Sequence, residues 1–149
     1  MILYLDTSSL IKLFIDETHC DLVRSWADQA AVLCSSRVAY PEAMSAIARR
    51  WRAEDLDDEE FRLLRQALAE QWQDFVVVNL DEVAAGDLAV EHGLRGFDAV
   101  HLAAALGFLS RAGSVAVFFS SFDDRLNRAA RSEGLVVLGA DSGQSLAMP

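Results

Sequence analysis

The stretch ILYLDTSS, residues 2–9, decides how the rest of the chain is interpreted. Four apolar residues rich in strand formers lead to a carboxylate at Asp6, and hydroxyl residues that favour a helix start follow at once. The pattern predicts a buried parallel strand whose C-terminal end delivers Asp6 into a strand-to-helix turn. Sites of open α/β sheets form beyond the carboxyl ends of the strands, so further acids at this edge would indicate a functional site.

Composition predicts one domain with a substantial core. The chain has 149 residues, of which 52% are hydrophobic, enough to bury a sheet on both faces. It has no run of about eighteen apolar residues and no basic N-terminal region, so we expect neither a membrane span nor a signal peptide. Cys20 and Cys34 form no metal-binding pattern, and reduced thiols of a cytoplasmic protein are favoured over a disulfide.

The chain is strongly acidic. Its net charge of −10 argues against nucleic-acid binding that is driven by net charge. A local basic rim around an acidic, metal-filled pocket remains compatible with this charge. The composition therefore excludes a generally basic nucleic-acid-binding protein but not an enzyme that acts on nucleic acid.

Short apolar segments alternate with helical patterns after the first strand. Further strands are predicted over residues 31–34, 75–78, 115–119 and 135–138. The first helix is predicted over residues 8–15, and Ser35 with Ser36 is predicted to form a turn. This alternation predicts an α/β fold with a central parallel sheet of about five strands and helices on both faces. We place a domain over residues 1–139 and a polar tail over residues 140–149.

Three further acids fall at the edge where Asp6 is predicted. Glu42 lies in the first turn of a helix after the second strand, Asp123 follows the fourth strand, and Asp98 opens a very apolar helix. Each acid alone could be a helix cap or a first-turn acid that the helix dipole favours. Four converging carboxylates repel one another and lose hydration, so they are stable as anions only around a cation. Oxygen ligands without paired His or Cys favour Mg²⁺ or Mn²⁺, which can activate water and neutralise a phosphodiester.

Four segments carry a family resemblance: LYLDTSSLIKLF, YPEAMSAIARR, GFDAVHLAAAL and SSFDDRL. As a set, in their order and spacing, they resemble the four motifs of PIN-domain ribonucleases, and most of all those of VapC-type toxins of toxin–antitoxin pairs. The resemblance implies a PIN-like three-layer α/β sandwich, Mg²⁺- or Mn²⁺-dependent endoribonuclease activity and neutralisation by a cognate VapB-type antitoxin. It also implies a homodimer that cuts structured RNA such as tRNA or rRNA.

The resemblance assigns roles to individual residues. The acids of the four motifs, expected to be catalytic residues and metal ligands, are matched by Asp6, Glu42, Asp98 and Asp123. Thr7 or Ser8 matches a small polar residue that steadies water or phosphate, and Ser121 matches the hydroxyl before the fourth acid. Asp124 departs from the family pattern. The spacing from Ser121 favours Asp123 as the functional acid and leaves Asp124 as a helix-start residue.

Basic residues near the acids have two interpretations each. His101 lies one helical turn after Asp98 and is interpreted as a hydrogen-bonded structural residue of the core. The arginines that could grip RNA phosphate are Arg37, Arg49, Arg50, Arg95, Arg125 and Arg128. Arg95 and Arg125 are preferred because each lies within three residues of a proposed ligand acid, whereas an ordinary surface position is the alternative for every one of them.

Two other classes of protein share parts of this pattern. A PIN-fold module that binds RNA or protein without cutting would have no need of four crowded carboxylates, and RNA binding without products in Mn²⁺ would favour it. A phosphoacceptor signalling domain is also an α/β protein with acids at strand ends, but it needs a lysine near the last strand. The one lysine of this chain is Lys12, on the first predicted helix, which argues against that class.

Overall fold

A computed structural model of the chain describes residues 1–141. Its strands are β1 (Ile2–Leu5), β2 (Val32–Ser36), β3 (Val76–Val78), β4 (Val117–Ser120) and β5 (Val136–Leu138). The helices in this part of the chain are α1 (Thr7–Ile11), α2 (Cys20–Gln29), α3 (Ala39–Arg52), α4 (Asp58–Trp72), α5 (Glu82–His92), α6 (Gly96–Arg111) and α7 (Asp124–Ser132). The strands form one parallel sheet in the order β3-β2-β1-β4-β5. The predicted fold, a three-layer α/β sandwich with five parallel strands, is confirmed.

Side chains of β1 alternate between two hydrophobic cores. Tyr4 packs into the core beneath α5, α6 and α7, whereas Leu3 and Leu5 pack into the core beneath α1 to α4. All three side chains are fully buried. The run that opens the chain is therefore continuously apolar because a central parallel strand is covered on both faces.

The order of the strands reverses at β1. The chain proceeds from β1 through β2 to β3 on one side, and then returns to place β4 and β5 on the other side of β1. Asp6 directly follows β1, and Asp123 lies three residues after the end of β4. The backbone N–H of Asp6 donates to the carbonyl of Ser120 at 3.1 Å, which joins the two strand ends. The crevice at such a reversal is where open parallel sheets bind ligands.

Two predicted elements near this edge were wrong in detail. The helix α1 ends at Ile11 rather than at residue 15, because the next backbone N–H groups bond to carbonyls three residues back. Ser35 and Ser36 do not form a turn, since they are the buried last residues of β2 and pair with β3. The Ser35 hydroxyl donates to the carbonyl of Leu5 at 2.7 Å, so a polar side chain is satisfied inside the sheet.

Three predictions from composition can be compared with the structure. Cys20 and Cys34 are both free thiols. Among residues 1–141, no helix is long and apolar enough to cross a membrane. The predicted tail over residues 140–149 falls almost entirely outside the described residues, so the boundary at residue 139 stays a prediction.

Candidate active site

A cleft at the carboxyl edge of the sheet collects the predicted acids. Its volume is about 710 Å³. Four acidic residues line it, namely Asp6, Glu42, Asp98 and Asp123. Asp6 and Asp123 are the N-caps of α1 and α7, while Glu42 and Asp98 lie in the first turns of α3 and α6. Four helix N-termini therefore face one cleft, and their partial positive charges favour anions there.

Asp6 is the most buried of these acids, with 4% of its surface exposed. Its Oδ1 accepts hydrogen bonds from the backbone N–H of Ser9 at 2.8 Å and from the hydroxyl of Ser8 at 2.7 Å. The Ser8 hydroxyl oxygen also accepts the N–H of Phe122 at 3.1 Å. Ser8 thus joins the turn after β1 to the turn after β4, and it holds the Asp6 carboxylate between them.

The turn after β4 positions Asp123 in a similar way. Asp123 Oδ1 accepts the N–H of Leu126 at 2.8 Å, and its own N–H donates to the hydroxyl of Ser121 at 3.1 Å. Ser121 is fully buried and shapes this turn without lining the cleft. Asp124 is the exposed first residue of α7 and lines an adjoining groove instead. Its position agrees with a helix-start residue, whereas the choice of Asp123 as the functional acid stays a prediction.

Glu42 is held by side chains from two other elements. The hydroxyl of Thr7 donates to Glu42 Oε1 at 2.6 Å, and His101 Nε2 lies 3.0 Å from the same oxygen. Burial acts to raise the pKa of Glu42, but the hydrogen bonds from His101 and Thr7 outweigh it and leave that pKa below its usual value. Glu42 is consequently ionised at neutral pH and can serve as an oxygen ligand.

His101 combines the structural role predicted for it with contacts to the cleft. It is 3% exposed, as expected of a core residue. Both ring nitrogens have hydrogen-bond partners, Nδ1 with Tyr4 and Nε2 with Thr7 and Glu42. These partners could not be predicted from the sequence, because the nearest of them in the chain is 59 residues away.

The pKa of Asp98 reflects the crowding of negative charge. Burial raises this pKa most, and the charges of Asp123 and Asp6 raise it further, while Arg95 and His101 oppose them. A divalent cation would relieve both the repulsion and the lost hydration. The donor set consists of carboxylate oxygens alone, which fits Mg²⁺ or Mn²⁺.

The ligand atoms of the four cleft acids lie farther apart than those of a compact cluster of metal ligands. Within residues 1–141, the trio of His, Cys, Asp or Glu whose ligand atoms all lie within 4.8 Å of one another is Glu91, His92 and Glu133. That trio lies at the C-terminal ends of α5 and α7 and does not line the cleft. His92 Nε2 and Glu133 Oε1, 2.6 Å apart, have the geometry of an ion pair.

Arginines stand around the cleft at its rim. Arg95 lines the cleft itself, whereas Arg125 lines the adjoining groove and donates to the backbone carbonyl of Gly93 at 3.0 Å. Arg49 also lines the cleft, although Arg95 and Arg125 were the arginines preferred as RNA contacts from the sequence. The signal for Arg49 was available, because it follows Glu42 by seven residues and two helical turns place both on one face of α3.

The position of Lys12 argues further against a phosphoacceptor domain. Its amino group lies 2.7 Å from Glu17 Oε1 and donates to the carbonyl of Thr18 at 2.9 Å. The residue is 8% exposed and does not line the cleft. Because its amino group is held by Glu17 and Thr18, Lys12 is not positioned to contact a phosphoryl group at the strand ends.

The chain matches a protein-family model and is similar in sequence to a known protein. The family model described as PIN domain matches residues 3–132. The chain is 35% identical over 142 residues to Ribonuclease VapC49 of Mycobacterium tuberculosis (strain ATCC 25618 / H37Rv), covering 93% of this chain and 96% of that protein.

Two solved structures have a similar fold. FitAcB from Neisseria gonorrhoeae has a TM-score of 0.67 at 19% identity, covering 92% of this chain and 96% of that chain. VapBC2 from Rickettsia felis, bound to a DNA fragment from their promoter, has a TM-score of 0.61 at 10% identity, covering 95% and 100% respectively. At these low identities the likeness extends to the fold alone.

Proposed function

Because the chain belongs to the PIN domain family, in the branch of the VapC ribonucleases, we propose that it is a metal-dependent endoribonuclease of the VapC toxin type. The observation that carries the proposal is the convergence of Asp6, Glu42, Asp98 and Asp123 on one cleft. The relative named Ribonuclease VapC49 supports the same reaction class. The substrate is RNA, and the reaction is hydrolysis of a phosphodiester bond.

The four cleft acids would hold Mg²⁺ or Mn²⁺, and the bound ion would activate water and neutralise charge on the phosphodiester. Asp6 and Asp123 are oriented as helix caps, so their carboxylates are positioned before any ligand arrives. Thr7 and His101 hold the Glu42 carboxylate in position by hydrogen bonding to it. The carboxylates of Asp6, Glu42 and Asp123 are therefore already in position to bind a cation, without a large rearrangement of the chain.

The partner protein, the oligomeric state, the cellular location and the class of RNA are also proposed from the family resemblance. We propose a cognate VapB-type antitoxin as the neutralising partner, which the motif resemblance to VapC-type toxins implies and the relative named Ribonuclease VapC49 supports. The homodimer, the cytoplasmic location and the choice of tRNA or rRNA as substrate rest on the motif resemblance and stay predictions.

Incubation of the purified protein with total RNA tests the proposal. We expect discrete products in Mn²⁺, no products in excess EDTA, and recovery of cleavage when Mn²⁺ is restored, because the cleft acids need a cation to act. Mapping the product ends would identify the cleavage site. RNA binding without products in Mn²⁺ would favour the alternative, a PIN-fold binding module, and would contradict the proposed activity.

Arg95→Ala should weaken RNA binding about three- to tenfold, because one guanidinium at the edge of the cleft would no longer contact phosphate. The slope of the binding constant against salt should fall by about one. Binding is measured at several salt concentrations in an Asp6→Asn background, which prevents cleavage. Arg62→Ala is the matched control, since Arg62 pairs with the exposed Glu59 and does not line the cleft. Equal losses in both variants would assign the effect to net charge alone.

A further inference from the structure

A chain of buried side chains reaches Glu42 from inside the core. Tyr4 of β1 is fully buried, and its hydroxyl lies 2.9 Å from His101 Nδ1. The other ring nitrogen, Nε2, lies 3.0 Å from Glu42 Oε1 and 3.0 Å from Thr7 Oγ1. Tyr4 does not line the cleft, and its hydroxyl is linked to the site by the hydrogen bond to His101.

The number of hydrogen atoms on each group determines which atom donates and which accepts in these hydrogen bonds. The single hydroxyl proton of Thr7 goes to Glu42, so Thr7 can only accept from His101. Nε2 therefore carries the proton that faces Thr7 and Glu42, and in the neutral form of the ring Nδ1 is the acceptor. Tyr4 supplies the matching donor.

Packing of aromatic rings holds the Tyr4 side chain, and with it the hydroxyl donor, in place. The Tyr4 ring stacks on Phe119 with centroids 5.5 Å apart and meets the His101 ring edge-on at 6.0 Å. His101 is the one polar side chain in the stretch AVHLAAAL of α6, where an apolar residue would cost no desolvation. The imidazole N–H is directed at two residues of the cleft, Thr7 and Glu42.

We propose that Tyr4 and His101 are positioning residues for Glu42: the Tyr4 hydroxyl holds the imidazole ring through its hydrogen bond to Nδ1, and the imidazole N–H orients the carboxylate in the cleft. The inference rests on the proposed function, in which Glu42 is a metal ligand. Partners that orient a metal ligand typically change metal affinity by about 10- to 100-fold. The relay thus makes a residue of the central strand a determinant of metal binding without contact to the metal.

The double variant Tyr4→Phe/His101→Leu tests the relay in the full-length protein. Replacing both hydrogen-bond partners by apolar groups can be nearly neutral for stability, so we expect a folded protein with a near wild-type denaturation midpoint. Isothermal titration calorimetry with Mn²⁺ should give a Kd about tenfold weaker than wild type, because Glu42 loses its orienting donor. A folded double variant with wild-type Mn²⁺ affinity would overturn the inference.

Single variants provide a second, milder test. In wild type, the imidazole ¹⁵N spectrum of His101 should show a proton on Nε2 and none on Nδ1. Tyr4→Phe should shift the Nδ1 resonance, because Nδ1 loses its hydrogen-bond donor, and should weaken Mn²⁺ binding about threefold. In a His101→Leu background, Tyr4→Phe should no longer change Mn²⁺ affinity. A proton on Nδ1 in wild type, or an undiminished effect of Tyr4→Phe in that background, would contradict the relay.

The second tyrosine of the chain supplies the matched control. Tyr40 packs against Trp72 and does not line the cleft, so Tyr40→Phe should alter neither the spectrum of His101 nor the Kd for Mn²⁺. The outcomes also separate the two proposals. A wild-type protein that binds no Mn²⁺ and cuts no RNA contradicts the proposed function. A wild-type protein that binds Mn²⁺ no better than the double variant contradicts the relay alone.

Discussion

Asp6→Asn should abolish RNA cleavage, lowering kcat/KM by at least about 10³-fold, which corresponds to about 4 kcal/mol of transition-state stabilisation. Asp6 is the most buried acid of the cleft, and it lies beside the β1–β4 reversal of the sheet. Asparagine has the same shape but no negative charge, so a divalent cation would lose its most enclosed anionic ligand. Cleavage of RNA in saturating Mn²⁺ measures the effect.

The same variant should stay folded, which separates chemistry from stability. The hydrogen bonds from Ser9 and Ser8 go to one oxygen of Asp6, and the amide oxygen of asparagine can accept both. Asparagine caps helices as well as aspartate does, so the free energy of unfolding should change by less than about 1 kcal/mol. Asp16→Asn is the matched control, because the Asp16 side chain is 90% exposed and pairs with Arg24. Cleavage by Asp6→Asn at the wild-type rate would contradict the proposed mechanism.

Asp6 could be predicted because its position depends on local patterns. A short apolar run followed by helix-start residues specifies a buried strand and the turn after it, and alternation of strands and helices implies that the strands are parallel. Parallel strands deliver their carboxyl ends to one edge, so acids far apart in the sequence were expected to converge. The motif resemblance then selected the same four acids from among the many in the chain.

The features that sequence reasoning missed depend on long-range contacts. Ser35 looked like a turn residue, but it lies in a strand that pairs with β3, and its hydroxyl is satisfied by the carbonyl of Leu5 in the neighbouring strand. Tyr4 and His101 are 97 residues apart, and periodicity gives only the face of an element on which each lies. A buried histidine was predictable from its apolar helix, but its partners were not.

Asp123→Asn should lower kcat/KM about 10²- to 10³-fold, whereas Asp124→Asn should stay within about threefold of wild type. The two acids are adjacent and carry the same charge, so each variant controls for the change in net charge caused by the other. Only Asp123 lines the cleft, and its charge contributes to the raised pKa of Asp98. Asp124 is exposed at the start of α7, where its charge favours the helix but faces the adjoining groove.

Measuring the stability of both variants shows whether a loss of RNA cleavage comes from unfolding or from the missing charge. In Asp123→Asn the amide oxygen can still accept the N–H of Leu126, and the buried hydroxyl of Ser121 still accepts the N–H of residue 123. The cap of α7 therefore survives, and the denaturation midpoint should stay near wild type. Asp124→Asn should lose no more than a few tenths of a kcal/mol, through a weaker interaction with the helix dipole. If Asp124→Asn lost activity and Asp123→Asn kept it, the fourth acid of the cleft would have to be reassigned.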